Sequence, residues 1–254
     1  MNYTPYHIHT MYSNGTTNID SVTDYKDYID KAVELGMIAF GFSEHGNIFS
    51  WLHKKEYIES KGLKYIHAVE AYLTETLEEK KKDNYHCILI AKNYEGVKEI
   101  NRLVSASYNR TDNHFYYSPR ISFDELFSTS VIGTTACLGG VLNEGSPMAK
   151  ERFIAFLADN KDRCFLEIQH HNCEEQANYN KMLYELSKTI GAPLIVGTDA
   201  HAINEEHLKG RSLLQKAKDV KFANEDDFDM VFHTYEELIE AYKRQGALPI
   251  DIVE

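Results

Sequence analysis

Seven short apolar runs, separated for the most part by stretches of helical periodicity, limit this chain to a small set of folds. They span residues 4–9, 37–43, 65–73, 86–91, 131–136, 163–169 and 194–198. Most are β-branched or aromatic and uninterrupted, the pattern of strands buried on both faces. Between them, Tyr25, Tyr28, Ile29, Ala32 and Val33 fall on one helical face, and Gly36 is placed to end that helix in a left-handed cap. Val97, Ile100, Val104 and Tyr108 repeat the pattern, Ser122 and Glu125 have capping-box spacing before Leu126 and Phe127, and Ala177, Leu183, Leu186 and Ile190 run into the helix stop Gly191 and Pro193. Strand and helix in alternation predict an α/β fold with a parallel sheet and right-handed crossovers. Seven strands in this length suggest closure into a (β/α) barrel, with an open doubly wound sheet as the alternative that pattern alone leaves standing. In a barrel, chemistry gathers at the C-terminal ends of the strands.

Past Ala202 the pattern changes to helix and loop, with a second capping-box spacing at Thr234 and Glu237 ahead of Leu238, Ile239 and Tyr242. The expected organisation is a barrel core over 1–201 and a short helical extension over 202–254 packed on it. The charged run 75–83 reads as a solvated excursion.

The formal net charge of −12 argues against affinity built on a broad basic surface. It leaves room for a local site where metal ions supply the positive charge. No apolar run approaches the ~20 residues needed to span a bilayer, and the N-terminus has no basic-then-apolar signal, so the expectation is a cytoplasmic protein without a membrane partner. The four cysteines lack CxxC spacing and are too sparse for a disulfide scaffold.

Candidate ligands fall where a barrel would collect them. His7 and His9, one residue apart on an expected strand, point to the same face. Glu44 and His45 end the second run, Glu70 lies on the third, Cys137 follows the fifth, and Asp199 and His201 follow the seventh. Singly, such a histidine is more often solvated or satisfied, such a cysteine a small core residue, and an Asp-x-His a turn; their coincidence at strand ends outweighs each bland reading. Imidazole, carboxylate and one thiolate suit Zn, Mn or Fe better than Mg or Ca. The donors outnumber what one tetrahedral ion needs, so two or three ions are expected, with Glu70 as a bridge. Such clusters activate water and stabilise displacement at phosphorus, which points to phosphoester hydrolysis; a metal-dependent amidohydrolase is the competing reaction on a similar barrel. His86 begins its run instead of ending it, so strand-end logic does not select it. His53, His67, His114, His170, His171, His207 and His233 read as surface or core residues, with His170 and His171 nearest to a strand end. No Walker loop, GxSxG elbow or GxGxxG turn is present.

In order along the chain stand His7-Ile-His-Thr10 with Tyr12-Ser13, Ser43-Glu-His-Gly-Asn47, Val69-Glu-Ala-Tyr72, His86-Cys-Ile-Leu-Ile-Ala-Lys-Asn93 with Gly96, Ser118-Pro-Arg-Ile121, Ala136-Cys-Leu-Gly-Gly140, Phe165-Leu-Glu-Ile-Gln169 and Thr198-Asp-Ala-His201. With these motifs the chain resembles the PHP (polymerase and histidinol phosphatase) family, in the form found at the N-terminus of bacterial DNA polymerase III alpha subunits. The resemblance implies a distorted seven-stranded (β/α) barrel, the PHP fold, with up to three divalent ions. The implied metal ligands are His7, His9, His45, Glu70, His86, Cys137, Asp199 and His201, with Glu70, Asp199 and His201 carrying catalysis; Arg120, in the Pro-Arg motif, is a candidate phosphate contact with a structural role as the alternative. It further implies 3′–5′ exonuclease proofreading on a DNA 3′ end, with a replicative polymerase or replisome protein as partner. A histidinol-phosphatase-like phosphomonoesterase and a non-catalytic polymerase scaffold are the alternatives. Two positions depart from the family pattern. Thr16 stands where an acidic or histidine ligand is usual, with Asn14, Asn18 or Asp20 as substitutes, and Glu44 replaces an aspartate. The segment 232–254 resembles the lead-in to a polymerase palm, and no palm carboxylates follow it.

Overall fold

Alternation with period two in the two longest strands separates an inner from an outer face. In β2 (Lys64–Thr74), Val69, Ala71 and Leu73 join the main apolar core, which leaves Ala68, Glu70 and Tyr72 on the opposite face. In β3 (Tyr85–Ile90), Cys87 and Leu89 face that core while His86, Ile88 and Ile90 face inward with Glu70. The computed structural model describes residues 3–15, 19–219 and 228–253. Its remaining strands are β1 (Ala39–Phe42), β4 (Phe115–Tyr116), β5 (Ser118–Ser122), β6 (Ile132–Thr134), β7 (Cys164–Ile168) and β8 (Leu194–Val196). The helices are α1 (Tyr25–Glu34), α2 (Trp51–Ser60), α3 (Tyr94–Ser107), α4 (Phe123–Phe127), α5 (Val141–Glu144), α6 (Pro147–Asp159), α7 (Glu174–Ile190), α8 (Glu205–Ala217) and α9 (Tyr235–Gln245).

These strands form one curled sheet in the order β4-β5-β2-β3-β6-β7-β8, with β1 alongside the first half of β2. The sheet is mixed, which corrects the parallel expectation. β3 runs antiparallel to both β2 and β6, and β4 runs antiparallel to β5. A direct β2-to-β3 connection of ten residues has no room for a crossover helix, so the chain turns back on itself. The expected first strand over 4–9 also forms no regular ladder. That segment is extended, with Pro5 and Ile8 carbonyls accepting from Gly41 and Ser43 amides, and the His9 amide donating to Ala200. It therefore lies between β1 and the segment after β8, held by scattered bonds, and the described sheet is a curled half-barrel.

The helical readings stand with small shifts. α1 is capped by Asp24 and followed by Gly36 at φ 67°, but Val33 is 42% exposed because the buried face runs through Tyr25, Tyr28, Ile29 and Ala32. Ser122–Glu125 and Thr234–Glu237 both close capping boxes. α9 packs against the curled sheet: Tyr242 is buried in the main core and its hydroxyl donates to the Ile168 carbonyl.

The excursion 75–83 is not merely solvated. Arg120 on β5 is fully buried, and its guanidinium donates to the carbonyls of Lys81, Asp83, Asn113 and His114 and to Asp83 Oδ1 at 2.9 Å. Arg120 thus takes the structural role instead of the phosphate contact, because it is fully buried and each of its three guanidinium nitrogens is bonded to loop carbonyls, tying two loops to the sheet edge. Arg120→Lys, which keeps the charge and loses the fork, is expected to cost roughly 2 kcal/mol of stability with unchanged catalysis. Chemical denaturation beside a hydrolysis assay checks this.

Candidate metal centre

Elements from across the chain bring the family-implied ligands to one rim. His7 and His9 flank Ile8, which is bridged to Ala200; His45 lies just past β1 and is bridged to Glu70 on β2; Cys137 follows β6; Asp199 and His201 follow β8. Because β3 is antiparallel, its beginning lies beside the end of β2, and Tyr72 pairs with His86. Strand direction therefore explains why His86 belongs to the group despite opening its run. Two residues here hold left-handed backbone without being glycine: Asp199 at φ 50° and Ala136, next to Cys137, at φ 53°. Such positions cost of order 1–3 kcal/mol and cluster at functional sites.

The eight expected ligands, and no others, make up three groups whose donor atoms converge: His7, His9 and Asp199; His9, His45 and His201; Glu70, His86 and Cys137. Nε2 of His7 and of His9 stand 3.2 and 3.1 Å from Asp199 Oδ1. His86 Nδ1 is 2.8 Å from Glu70 Oε1, and Cys137 Sγ is 3.3 Å from His86 Nδ1. His45 Nδ1 contacts Glu70 Oε2, and the His9 ring stacks between those of His45 and His201 at centroid distances of 4.1 and 4.4 Å. Five of these atoms, His7 Nε2, His9 Nε2, His45 Nδ1, Glu70 Oε2 and Asp199 Oδ1, are buried with no hydrogen-bond partner. Buried lone-pair donors aimed at a common space without partners are costly in an ordinary core, and a divalent cation satisfies them together. The residues fit a multinuclear metal centre.

Electrostatics agree. Burial opposes charge on Asp199 and Glu70, yet His7 holds the first, and His86 with His45 the second, well below the usual carboxylate range. Burial, with Asp199 and Glu70, pushes the Cys137 thiol well up. Burial also opposes protonation of His45, but the Glu70 carboxylate overrides it and lifts the ring to about 9. Below that pH the metal-free ring carries a proton that a cation must displace. Divalent-ion affinity is therefore expected to rise with pH between about 6 and about 9, with proton release on binding; calorimetric titration in buffers of different ionisation heat measures both.

A second layer fixes these side chains. Glu167 on β7, fully buried, accepts from Tyr6, Thr134 and Gln169 and pairs its Oε1 with His7 Nδ1 at 2.5 Å. This carboxylate–imidazole contact turns Nε2 toward the centre. Gly197 leaves the space: a Cβ there would fall 2.0 Å from Glu167 Oε1. On the other side, His9 Nδ1 meets Ser13, which donates to Glu44, and Glu44 is paired with buried Lys54. His201 Nδ1 lies 2.8 Å from the Asp199 carbonyl, which fixes Nε2 as its free donor. Glu44, a candidate ligand by its place at a strand end, instead supports the centre through Thr10, Ser13 and Lys54; Lys54 and Glu167 escape sequence reasoning, and the signal for Glu167 is a carboxylate inside an apolar, doubly buried run.

A cavity of about 450 Å³ opens onto the centre. His45, His86, Cys137, Asp199 and His201 line it together with Asp20, Tyr72, Asn84, His171 and Phe228, and no lysine or arginine is among the described lining residues. Thr16, at the position of the missing acidic ligand, and the substitute Asn18 lie outside the described residues. Asn14 is committed to the backbone, accepting from the Asp20 and Ser21 amides and donating to the Ser21 carbonyl. Asp20 reaches the cavity. His67 and His114 are held by Tyr65 and Asn101, and by Asp112 and Glu125, away from the centre.

A model of the PHP domain matches residues 5–171. The DNA polymerase III alpha subunits of Borreliella burgdorferi and Aquifex aeolicus are 32% and 33% identical, each over 82% of this chain and 19% of the relative. The chain thus spans about a fifth of the length of these relatives. A structure assigned as a metal-dependent phosphoesterase from Bifidobacterium adolescentis superposes with a TM-score of 0.53 at 14% identity, covering 78% of this chain and 87% of the other.

Proposed function

The chain belongs to the PHP domain family, and from that membership we propose that it is a metal-dependent phosphoesterase acting as a 3′–5′ exonuclease on DNA. The observation that carries the reading is the convergence of eight donors over a cavity with no lysine or arginine among its described lining residues. For a phosphodiester entering there, bound cations supply the counter-charge. His7, His9 and Asp199, then His9, His45 and His201, then Glu70, His86 and Cys137 are the residues that would hold them. Bound divalent ions of the Zn, Mn or Fe type lower the pKa of water and neutralise phosphoryl oxygens. The chain's own part is orientation. Glu167 holds the tautomer of His7, Ser13 and Glu44 hold His9, and the Asp199 carbonyl holds His201. Tyr72 and Phe228 offer aromatic faces at the cavity for a terminal base. His171, buried with Nδ1 unpartnered, lines the same cavity, and burial favours its neutral ring.

The DNA substrate rests on the polymerase relatives; the acidic surface favours a small phosphate ester as the second reading. 3′-labelled single-stranded DNA and a small phosphomonoester, each with Mn, separate the two. Release of the labelled terminal nucleotide, abolished by Asp199→Ala, is the expected result. Turnover of the monoester alone would move the substrate to the second reading. Hydrolysis of neither with metals bound would leave a polymerase scaffold.

A further inference from the structure

A fourth convergent group, made by His170, Asp229 and His233, lies outside this centre and is used by none of the chemistry above. His170 follows β7 and is 1% exposed, and neither of its ring nitrogens has a hydrogen-bond partner. Asp229 and His233 flank the segment that packs along the end of the catalytic rim. The Met230 carbonyl accepts from the His201 and Ala202 amides, and the Phe232 amide donates to Ala202. Asp229 Oδ2 is 2.8 Å from His233 Nε2 and 3.8 Å from His170 Nε2. A tetrahedral ion with ligands at about 2.0–2.1 Å sets neighbouring donors roughly 3.3 Å apart. The two observed separations bracket that value. A hydrogen bond accounts for the His233–Asp229 contact, but it leaves the most buried of the three side chains, His170, without a partner for either nitrogen.

We propose that His170, Asp229 and His233 form a separate zinc-type site that clamps the segment before α9 to the end of β7. Two imidazoles and a carboxylate are a donor set that zinc accepts with water completing the shell. The site goes beyond the catalytic reading, since it shares no ligand with that centre. Its role is mechanical: it fixes the segment on which the His201 and Ala202 amides rest.

The test counts metal in the intact chain. Wild type, His233→Gln, Asp229→Asn and His233→Cys are stripped with chelator, dialysed against buffered zinc and assayed by elemental analysis, with circular dichroism as the check on folding. The glutamine and asparagine variants are expected to hold one zinc equivalent fewer than wild type. His233→Cys, which restores a ligand, is expected to hold the wild-type number. Equal counts in wild type and the folded variants overturn the site, as does failure of His233→Cys to recover the ion that His233→Gln loses. Loss of the catalytic reading would leave this count unchanged, so the two stand or fall separately.

Discussion

Glu70→Gln is expected to lower metal-dependent phosphodiester hydrolysis by on the order of 10³-fold and to reduce the bound metal. The substitution keeps the volume and removes one charge. Glu70 is fully buried on the inner face of β2, and its two oxygens face His7, His9, His45, His86 and Cys137. An amide cannot serve as an anionic bridge among them. The variant has a second signature in the metal-free protein: without the carboxylate, the His45 pKa should fall from about 9 toward or below the ordinary histidine range. Elemental analysis, a Mn-dependent assay and NMR titration of the histidines read the three effects. Wild-type metal content with wild-type activity would remove Glu70 from the centre.

Lys54→Ala is expected to destabilise the fold by about 3–5 kcal/mol, the range for stripping one partner from a buried ion pair. Lys54 and Glu44 are 3% and 2% exposed, and Glu44 also accepts from the Thr10 amide and from the Thr10 and Ser13 hydroxyls. Burial opposes its charge, but Lys54 and these donors hold the carboxyl at about 2. A carboxylate with a folded pKa below its unfolded value stabilises the fold above about 4.5 and loses that contribution as the pH falls toward 2. The deficit of Lys54→Ala should therefore be full at neutral pH and shrink in acid. Adding Glu44→Gln to Lys54→Met should recover much of the loss, since no uncompensated charge remains. Denaturant melts of the single and double variants at neutral and acidic pH decide it.

Most of the candidate ligands were legible in the sequence because they sit in strand-end motifs whose spacing survives any detail of the sheet. Period two placed His7 and His9 on one face, and position after a strand singled out Asp199 and His201. What stayed hidden depended on direction and on depth. Without knowing that β3 runs backward, only the family motif selected His86. Arg120 looked like an anion contact because a charged residue in a motif says nothing about burial; its partners lie as far away in sequence as Lys81. Glu167 was invisible as a functional residue because its partner His7 is 160 positions distant. The run 75–83 looked solvated for the same reason, its anchor being Arg120. The first apolar run was read as a strand from composition, but irregular pairing on both sides kept it from becoming one.

The central place of Glu70 has a thermodynamic corollary. Donors of all three ligand groups approach its oxygens: His45 is in direct contact, His86 stands at 2.8 Å, His7 at 3.6 Å and Cys137 at 3.9 Å. Groups that share one anion cannot fill independently: whatever the first cation does to that charge is felt by the next, and the influence is reciprocal. Metal loading should follow a cooperative isotherm, positive or negative, instead of a sum of independent hyperbolas. Glu70→Gln should then change the shape of the isotherm as well as its endpoint.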